Sequence, residues 1–417
     1  QVYYVGLFAG ENDMELLEKT NVGRDINRHY FTKDEIAANL ERPLLIELKE
    51  LMFLRNNHNA FNGDFNVVES AENILNIIWV NKSYWAELYI DLETMKMNVK
   101  NSVNQKTLRQ AVSYVGIGLH TGRKVSMSVR PAEVDSGIHI VRKDIPENQN
   151  LINARWYNVK ETRLSTVLGT SSGTTVSTVE HLMAALHGCG VDNALVELDG
   201  PEIPIMDGSS EPFVRMIERV GTVDQFMPRN AIWLHRPIEV RDGDKYAILL
   251  PADSPRITVE IDFPGSIIGS QTLSVELVNE AFRNDIARAR TFGFSSDIEQ
   301  LRKKGLALGG SLNNAVLVDG DRVVNEEGLR FQDEFVRHKI LDCMGDLALI
   351  GVPVLAHLYA RKPGHELNNM LMNKLFAERE SWSYITINEF NAMTGRNQDM
   401  FENESEISEK MLNSIAT

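Results

Sequence analysis

The sequence predicts an α+β protein rather than a doubly wound sheet, and three observations lead there. Strand-like and helix-like segments alternate without a regular βαβ rhythm. The chain changes character near residue 100, as if two different proteins met there. Its 417 residues exceed one ordinary domain, so two or three units are expected. Composition narrows the class further. A hydrophobic content of 43% with 24% charged residues is that of a soluble globular protein. The net charge of −15 argues against a general nucleic-acid binder, which needs clustered Lys and Arg to neutralise phosphate. Cys189 and Cys343 are too few for a disulfide framework and point to a reducing compartment. No run approaches the length needed to span a bilayer.

The elements follow in chain order. The start, Gln1 to Gly6, is apolar, lacks the basic region of a signal peptide and reads as the inside of a strand, Val2–Ala9. The chain is therefore expected to begin part-way through a domain. A helix is expected from Thr32 through Arg55, then β-type runs at Ile74–Val80 and Tyr84–Leu92 joined by Asn81-Lys82-Ser83. The polar stretch Asn98–Gln105 reads as a junction. From Thr107, strands at Ala111–Val115 and Val125–Arg130 precede a helix over Thr178–His187. A second strand-and-helix block starts near Ala231 and ends with helices over residues 334–350 and 366–382. Residues 387–417 form an acidic, polar tail that adds a loose helix around Ser405–Ile415 or frays.

Within the 334–350 segment, His338, Asp342 and Asp346 recur every four residues. At helical spacing His338 and Asp342 lie one above the other, with Asp346 drifting to the edge of that face. Such a pair can hold one zinc ion if a third ligand comes from elsewhere, and His181 is the best candidate. The alternative is a solvated helix face, although Phe335, Ile340, Leu341, Met344 and Leu347 make the other positions apolar. Glu180, beside His181, could act as a base. It could equally complete a capping box, with Ser177 as N-cap and Glu180 at N3. Gly116-Ile117-Gly118-Leu119-His120-Thr121-Gly122 is a glycine-dense turn without dinucleotide-binding spacing. Asp199–Ser209 reads as rigid punctuation, and Ala289–Phe294 as a hydroxyl beside two aromatics at a strand end. Lys362–Asn369 places a Lys and a His in a turn before a helix.

Together these stretches resemble one family, the zinc-dependent UDP-3-O-acyl-N-acetylglucosamine deacetylases of lipid A biosynthesis. SYVGIGLHTG at Ser113–Gly122, STVEHLMAAL at Ser177–Leu186, DGPEIPIMDGS at Asp199–Ser209, ARTFGF at Ala289–Phe294, FVRHKILDCMGD at Phe335–Asp346 and GHELNN at Gly364–Asn369 occur in family order. The resemblance covers about residues 106–385. It implies two similar two-layer α+β domains, 106–230 and 231–386, with the metal site between them. It implies Zn2+ on His181, His338 and Asp342, with water in the open position, and Glu180 as general base. It implies Thr291 and Lys339 as stabilisers of the developing oxyanion, and His365, oriented by Asp346, as acid for the departing amine. Leu119, Phe292, Phe294 and Ile298 correspond to an acyl-chain passage, and Lys245 and Lys362 to contacts with the nucleotide phosphates. Some members carry a Cys near the metal where this chain has Ser165, which weakens any second, inhibitory metal site. The implied protein is a cytoplasmic monomer acting on a small-molecule substrate, with transient approach to the inner membrane and no nucleic acid.

Residues 1–100 resemble something unrelated, the C-terminal end of sucrose phosphorylase-like enzymes of the α-amylase superfamily, through QVYYVGLFAGEND and VGRDINRHYFTKDEIAANLERP followed by a small β domain. The catalytic carboxylates of that family lie upstream and are absent, so no glycosyl activity is expected. A different class of reading makes the chain an inactive scaffold with residues 1–100 as its interaction module. Loss of a zinc ligand would favour it, and none is lost.

Overall fold

The computed structural model describes residues 14–22 and 31–394, apart from residues 41, 43–44, 46–47, 49–50, 53, 57, 82–83, 95, 102 and 278–280. The expected strand at Val2–Ala9 and the expected helix around Ser405–Ile415 lie outside the described residues. The chain divides into two compact units, one of residues 1–102 with 395–417 and one of residues 103–394.

In the first unit the Lys33–Leu40 helix starts with a reciprocal capping box. Glu35 N–H donates to Thr32 Oγ1 and Thr32 N–H to Glu35 Oε2, which satisfies two backbone donors of the first turn. Four antiparallel strands, Asp64–Val68, Ile74–Asn81, Tyr84–Asp91 and Lys96–Asn101, form a meander in sequence order. Ala60, Tyr84 and Ala86 are its buried centre, with Phe61 and Trp79 packed against them. The expected junction at Asn98–Gln105 is thus much shorter than its polarity suggested. Its first residues are the end of a strand paired with Ala86–Asp91, and Asn104–Leu108 is a strand paired with Thr222–Pro228. Backbone pairing is indifferent to side-chain polarity, so strands reach into the polar stretch from both sides, while the division between the two units, at 102/103, falls within it.

The second unit is α+β. A five-stranded sheet runs in the order Val112–Ile117, Lys124–Pro131, Ala194–Leu198, Ile138–Arg142, Leu151–Asn153. A seven-stranded sheet is built around Val354–Arg361, which pairs with Lys245–Pro251, Asn230–Leu234 and Arg256–Phe263. One contiguous core, from Leu108 to Trp382, serves both sheets. The expected helix over 366–382 is shorter, because His365–Ala377 gives way to a 3₁₀ turn and Trp382 opens a strand against Leu234. The expected helix over 334–350 is Glu334–Leu347 extended by one 3₁₀ turn, Ala348–Ile350. Among the described residues no helix is long and apolar enough to cross a membrane.

Two helices, Glu180–Gly188 and Glu334–Leu347, pack directly on one another inside this core. Their approach is close enough that a Cβ at Gly345 would fall 2.0 Å from the carbonyl oxygen of Glu180. The start of the second helix is tied down by a buried ion pair. Arg290 Nε donates to Glu334 Oε1 at 2.9 Å and Arg290 Nη2 to Oε2 at 3.2 Å, both residues being almost fully inaccessible. Arg290 and Arg330 backbone N–H groups also donate to the Glu334 carboxylate.

Gly345→Ala is expected to overpack this crossing and lower stability by ~1–3 kcal/mol, seen as a lower urea midpoint. Gly293→Ala, where an added Cβ meets nothing within 4 Å, should leave the midpoint nearly unchanged.

Candidate metal centre

The helix that carries Glu180 and His181 begins two residues later than the sequence suggests. Thr178 has φ +58°, which a helical residue cannot adopt, and its hydroxyl donates to Glu202 Oε1 at 3.1 Å. Ser177 is not the N-cap; its hydroxyl donates to the carbonyl of Pro201 at 3.3 Å. The capping-box alternative therefore fails. Glu180 instead accepts a hydrogen bond on Oε2 from the backbone N–H of Thr166, at 3.1 Å, which leaves Oε1 toward His365 Nε2.

One helical turn of ladder spacing places His338 Nε2 at 3.3 Å from Asp342 Oδ1, as the sequence predicts. His181, from the facing helix, brings its Nε2 to 3.8 Å from the same oxygen. One donor atom from each of the three residues lies within 4.8 Å of the others, and all three side chains are buried. The solvated-face alternative for His338, Asp342 and Asp346 is thereby excluded. His338 Nδ1 lies 3.0 Å from the carbonyl oxygen of Ala289. A carbonyl only accepts, so Nδ1 carries the proton and the lone pair of Nε2 points at the cluster. Burial, reinforced by His338, pushes the His181 imidazole down to about 3, so it is neutral. Burial likewise depresses His338. Asp342 resists the upward push of burial, because His338, Lys339, His365 and His181 hold its carboxyl well below the usual range. Two neutral imidazoles and one carboxylate, converging without intervening side chains, fit a divalent cation such as zinc.

Next to this cluster sits a second constellation. His365, the first residue of its helix, donates from Nδ1 to Asp346 Oδ2 at 2.8 Å, and its Nε2 is 3.6 Å from Glu180 Oε1. Burial alone would strip the His365 proton, but Asp346 and Glu180 outweigh it and raise the imidazolium to about 10. Burial raises Glu180 to about 7, against the pull of His365. Asp346 is held from both sides: Thr166 donates through its hydroxyl to Oδ1 at 2.5 Å, and Asn368 Nδ2 donates to Oδ2 at 2.8 Å. Thr166 therefore touches both carboxylates, Glu180 through its backbone and Asp346 through its side chain.

Two cavities flank the site. One of about 740 Å³ is lined by Lys245, Lys339, Lys362, His365 and Arg163 among others. The other, about 410 Å³ and mostly apolar, is lined by Leu119, Thr291, Phe292, Phe294 and Ile298. Leu164 lines both.

The family model described as UDP-3-O-acyl N-acetylglycosamine deacetylase matches residues 105–377. The curated UDP-3-O-acyl-N-acetylglucosamine deacetylase of Syntrophus aciditrophicus is 48% identical over 279 residues, covering 67% of this chain and 88% of that protein. The enzyme of the same name from Phenylobacterium zucineum is 48% identical over 285 residues, 68% of this chain and 97% of its own. This chain belongs to the UDP-3-O-acyl-N-acetylglucosamine deacetylase family. Among solved structures, a sucrose 6F-phosphate phosphorylase from Thermoanaerobacter thermosaccharolyticum shares 32% identity over 30% of this chain and 22% of that one. Its TM-score of 0.24 is too low to bear on the fold.

For a member of this deacetylase family, the residues picked out by sequence fall in three places. His181, His338, Asp342, Glu180, His365 and Asp346 converge. Lys339 borders them, with Nζ donating to Asp342 Oδ2 at 2.8 Å and lying over the Phe292 ring. Thr291 lies at the apolar cavity with Leu119, Phe292, Phe294 and Ile298. Lys245 and Lys362 line the polar cavity, but neither is a free cation. Lys362 contacts Asp244 at 2.7 Å and Asp262 at 3.4 Å, and Lys245 contacts Asp242 at 3.5 Å. Thr166, Asn368 and Glu202 were missed as chemistry-bearing residues. Glu202, fully buried, accepts from the backbone N–H groups of His120 and Thr121 and so fixes the glycine-dense turn. Asn368 lies in the GHELNN stretch, which was a usable signal. Thr166 meets Asp346 across 180 residues of sequence, which no local pattern encodes.

His338→Ala is expected to remove one of three ligands and lower bound divalent metal per chain from about one to well below one, measured by metal analysis after gel filtration. Metal content unchanged from wild type would place the ion elsewhere.

Proposed function

We propose that this chain is a zinc-dependent amidohydrolase that removes the N-acetyl group of a UDP-3-O-acyl-N-acetylglucosamine, releasing acetate and leaving the free amine, as a cytoplasmic step of lipid A biosynthesis. The observation that carries this reading is the buried His181, His338 and Asp342 cluster with Glu180 and His365 converging beside it. Family membership supplies the substrate. Zinc on those three residues would polarise the acetamide carbonyl and acidify a water molecule.

The protein groups divide the remaining work. Glu180 Oε1, not engaged in capping, accepts the proton of the attacking water. A carboxyl raised to about 7 is matched to that task near neutral pH. His365 is protonated and aligned by Asp346, so its Nε2 can deliver a proton to the departing nitrogen. The hydroxyl of water joins the carbonyl carbon while one of its protons passes to Glu180. The C–N bond breaks as His365 protonates the nitrogen. The proton on Glu180, whose Oε1 is 3.6 Å from His365 Nε2, then restores the imidazolium. Lys339 and the Thr291 hydroxyl supply positive potential and a donor where negative charge builds on the carbonyl oxygen. The apolar cavity suits a fatty acyl chain, since burying each methylene is worth about 0.8 kcal/mol. The polar cavity suits the nucleotide, whose phosphates would draw Lys245 and Lys362 away from Asp242, Asp244 and Asp262. Residues 1–100 are read as an appended fragment resembling the C-terminal end of a sucrose phosphorylase-like enzyme, with no part in the reaction.

Glu180→Gln is expected to retain metal and lose about 10²–10⁴ of the acetate-release rate. Turnover near wild type would return Glu180 to a structural role. Thr166→Val keeps the backbone donor to Glu180 and removes the hydroxyl that holds Asp346. Loss of a hydrogen bond to a charged group should lower kcat about tenfold to a hundredfold, with KM little changed and Thr166→Ser close to wild type.

A further inference from the structure

The far side of the apolar cavity is bounded by a surface that the proposed chemistry does not use. Leu308, Leu312, Ile117 and Val115 are 51%, 41%, 47% and 54% exposed, unusual values for large apolar side chains gathered in one place. They belong together. Val115 and Ile117 alternate on the outward face of Val112–Ile117, an edge strand whose one ladder among the described residues is with Lys124–Pro131. The Leu308 and Gly309 N–H groups donate to the carbonyls of His120 and Leu119, which fastens the Leu308 loop beside that strand. Leu308 packs over Gly122, and Ile117 over Gly309. Leu312 itself lines the apolar cavity, so the exposed patch and the cavity are continuous.

The charge around this patch runs against the composition of the chain. The chain has 58 Asp and Glu against 43 Lys and Arg. Yet exposed Arg302 and Lys304 stand at the end of the Ser295–Lys303 helix, and Lys124 pairs across the strands with Ile117, next to Arg123. None of these four makes an ion pair within 4.0 Å among the described residues, although Arg123 lies near enough to Asp144 to help hold its carboxyl down. The neighbouring Lys303 is taken by Glu299 at 2.7 Å. Apolar side chains with exposed cations nearby, on an otherwise acidic protein and despite Asp297 at the cavity edge, complement a surface with an anionic exterior and an apolar interior.

We propose that this rim docks the protein transiently on an anionic lipid bilayer. Leu308, Leu312, Ile117 and Val115 enter the headgroup boundary, and Arg123, Lys124, Arg302 and Lys304 meet lipid phosphates. The proposal deepens the reading of the apolar cavity as the acyl-chain site, because the same opening would then face the phase from which acyl chains partition. Net negative charge elsewhere on the chain would orient the molecule rim-first and make attachment reversible.

Co-sedimentation of the full chain with phosphatidylglycerol-containing vesicles tests this, with phosphatidylcholine vesicles in parallel. The chain should pellet with anionic vesicles at low ionic strength, release at high salt and stay in solution with neutral vesicles. Lys304→Gln and Lys124→Gln should each weaken partitioning about fivefold, and Leu308→Glu should weaken it at least as much. Turnover of soluble substrate without vesicles should be unchanged in all three variants, which shows that they fold. No pelleting of wild type, equal pelleting with neutral vesicles, or pelleting indifferent to the three variants would overturn the proposal. So would self-association abolished by Leu308→Glu in a chain that ignores vesicles, which would assign the patch to a second copy. The deacetylase reading fails separately, if wild type releases no acetate.

Discussion

Everything at the site depends on how closely two helices cross. Glu180–Gly188 and Glu334–Leu347 meet where Gly345 has no side chain, so that the Glu180 backbone lies where a Cβ would be. This single steric allowance brings His181 of one helix to the His338 and Asp342 pair of the other. It also sets Glu180 beside them. A methyl group at that crossing would have to move one helix, and the donor atoms would no longer converge within 4.8 Å. The Arg290 and Glu334 ion pair fixes the register of the same helix from its other end, with Ala289 O holding the His338 ring. Cutting one partner of such a pair would leave a buried charge uncompensated, typically ~3–5 kcal/mol.

Burial then does opposite things to neighbouring groups, and the difference assigns their tasks. Burial pushes the His181 and His338 imidazoles toward the neutral form, the form that the proposed metal site would need. His365, equally enclosed, keeps its proton because Asp346 and Glu180 face it. Glu180 is raised toward neutrality while Asp342, four cationic or polarisable neighbours around it, stays ionised. Groups of the same type are driven apart by their surroundings, which is what the proposed division into ligand, acid and base requires. Asp346 is fixed in orientation toward His365 because Thr166 holds its Oδ1 and Asn368 its Oδ2.

The sequence disclosed what is local and concealed what is not. The spacing of His338 and Asp342 is a property of one helix and was legible as such. The drift of Asp346 to the edge of that face was legible too, and it is what lets Asp346 serve His365 instead of the metal cluster. The pairing with His181 was only a candidate, since nothing in the spacing encodes the approach at Gly345. Glu180 could not be separated from a capping residue until Thr178 was seen at φ +58° and Thr166 at its carboxylate. The strands near Ile74 and Tyr84 followed from β-type composition, whereas Lys96–Asn101 did not, because its pairing with Ala86–Asp91 is made by backbone. The resemblance implies Lys245 and Lys362 as phosphate contacts, and the ion pairs that Lys362 makes with Asp244 and Asp262 became visible only in the structure.

On the proposed reading, three side chains from two closely crossed helices form an open metal site served by Glu180. Zinc-edge X-ray absorption on the purified chain tests it most directly. The account predicts two imidazole nitrogens at about 2.0–2.1 Å and oxygen donors at about 2.0–2.2 Å, with no sulfur. A spectrum showing thiolate from Cys189 or Cys343, or four protein ligands with no exchangeable oxygen, would contradict it.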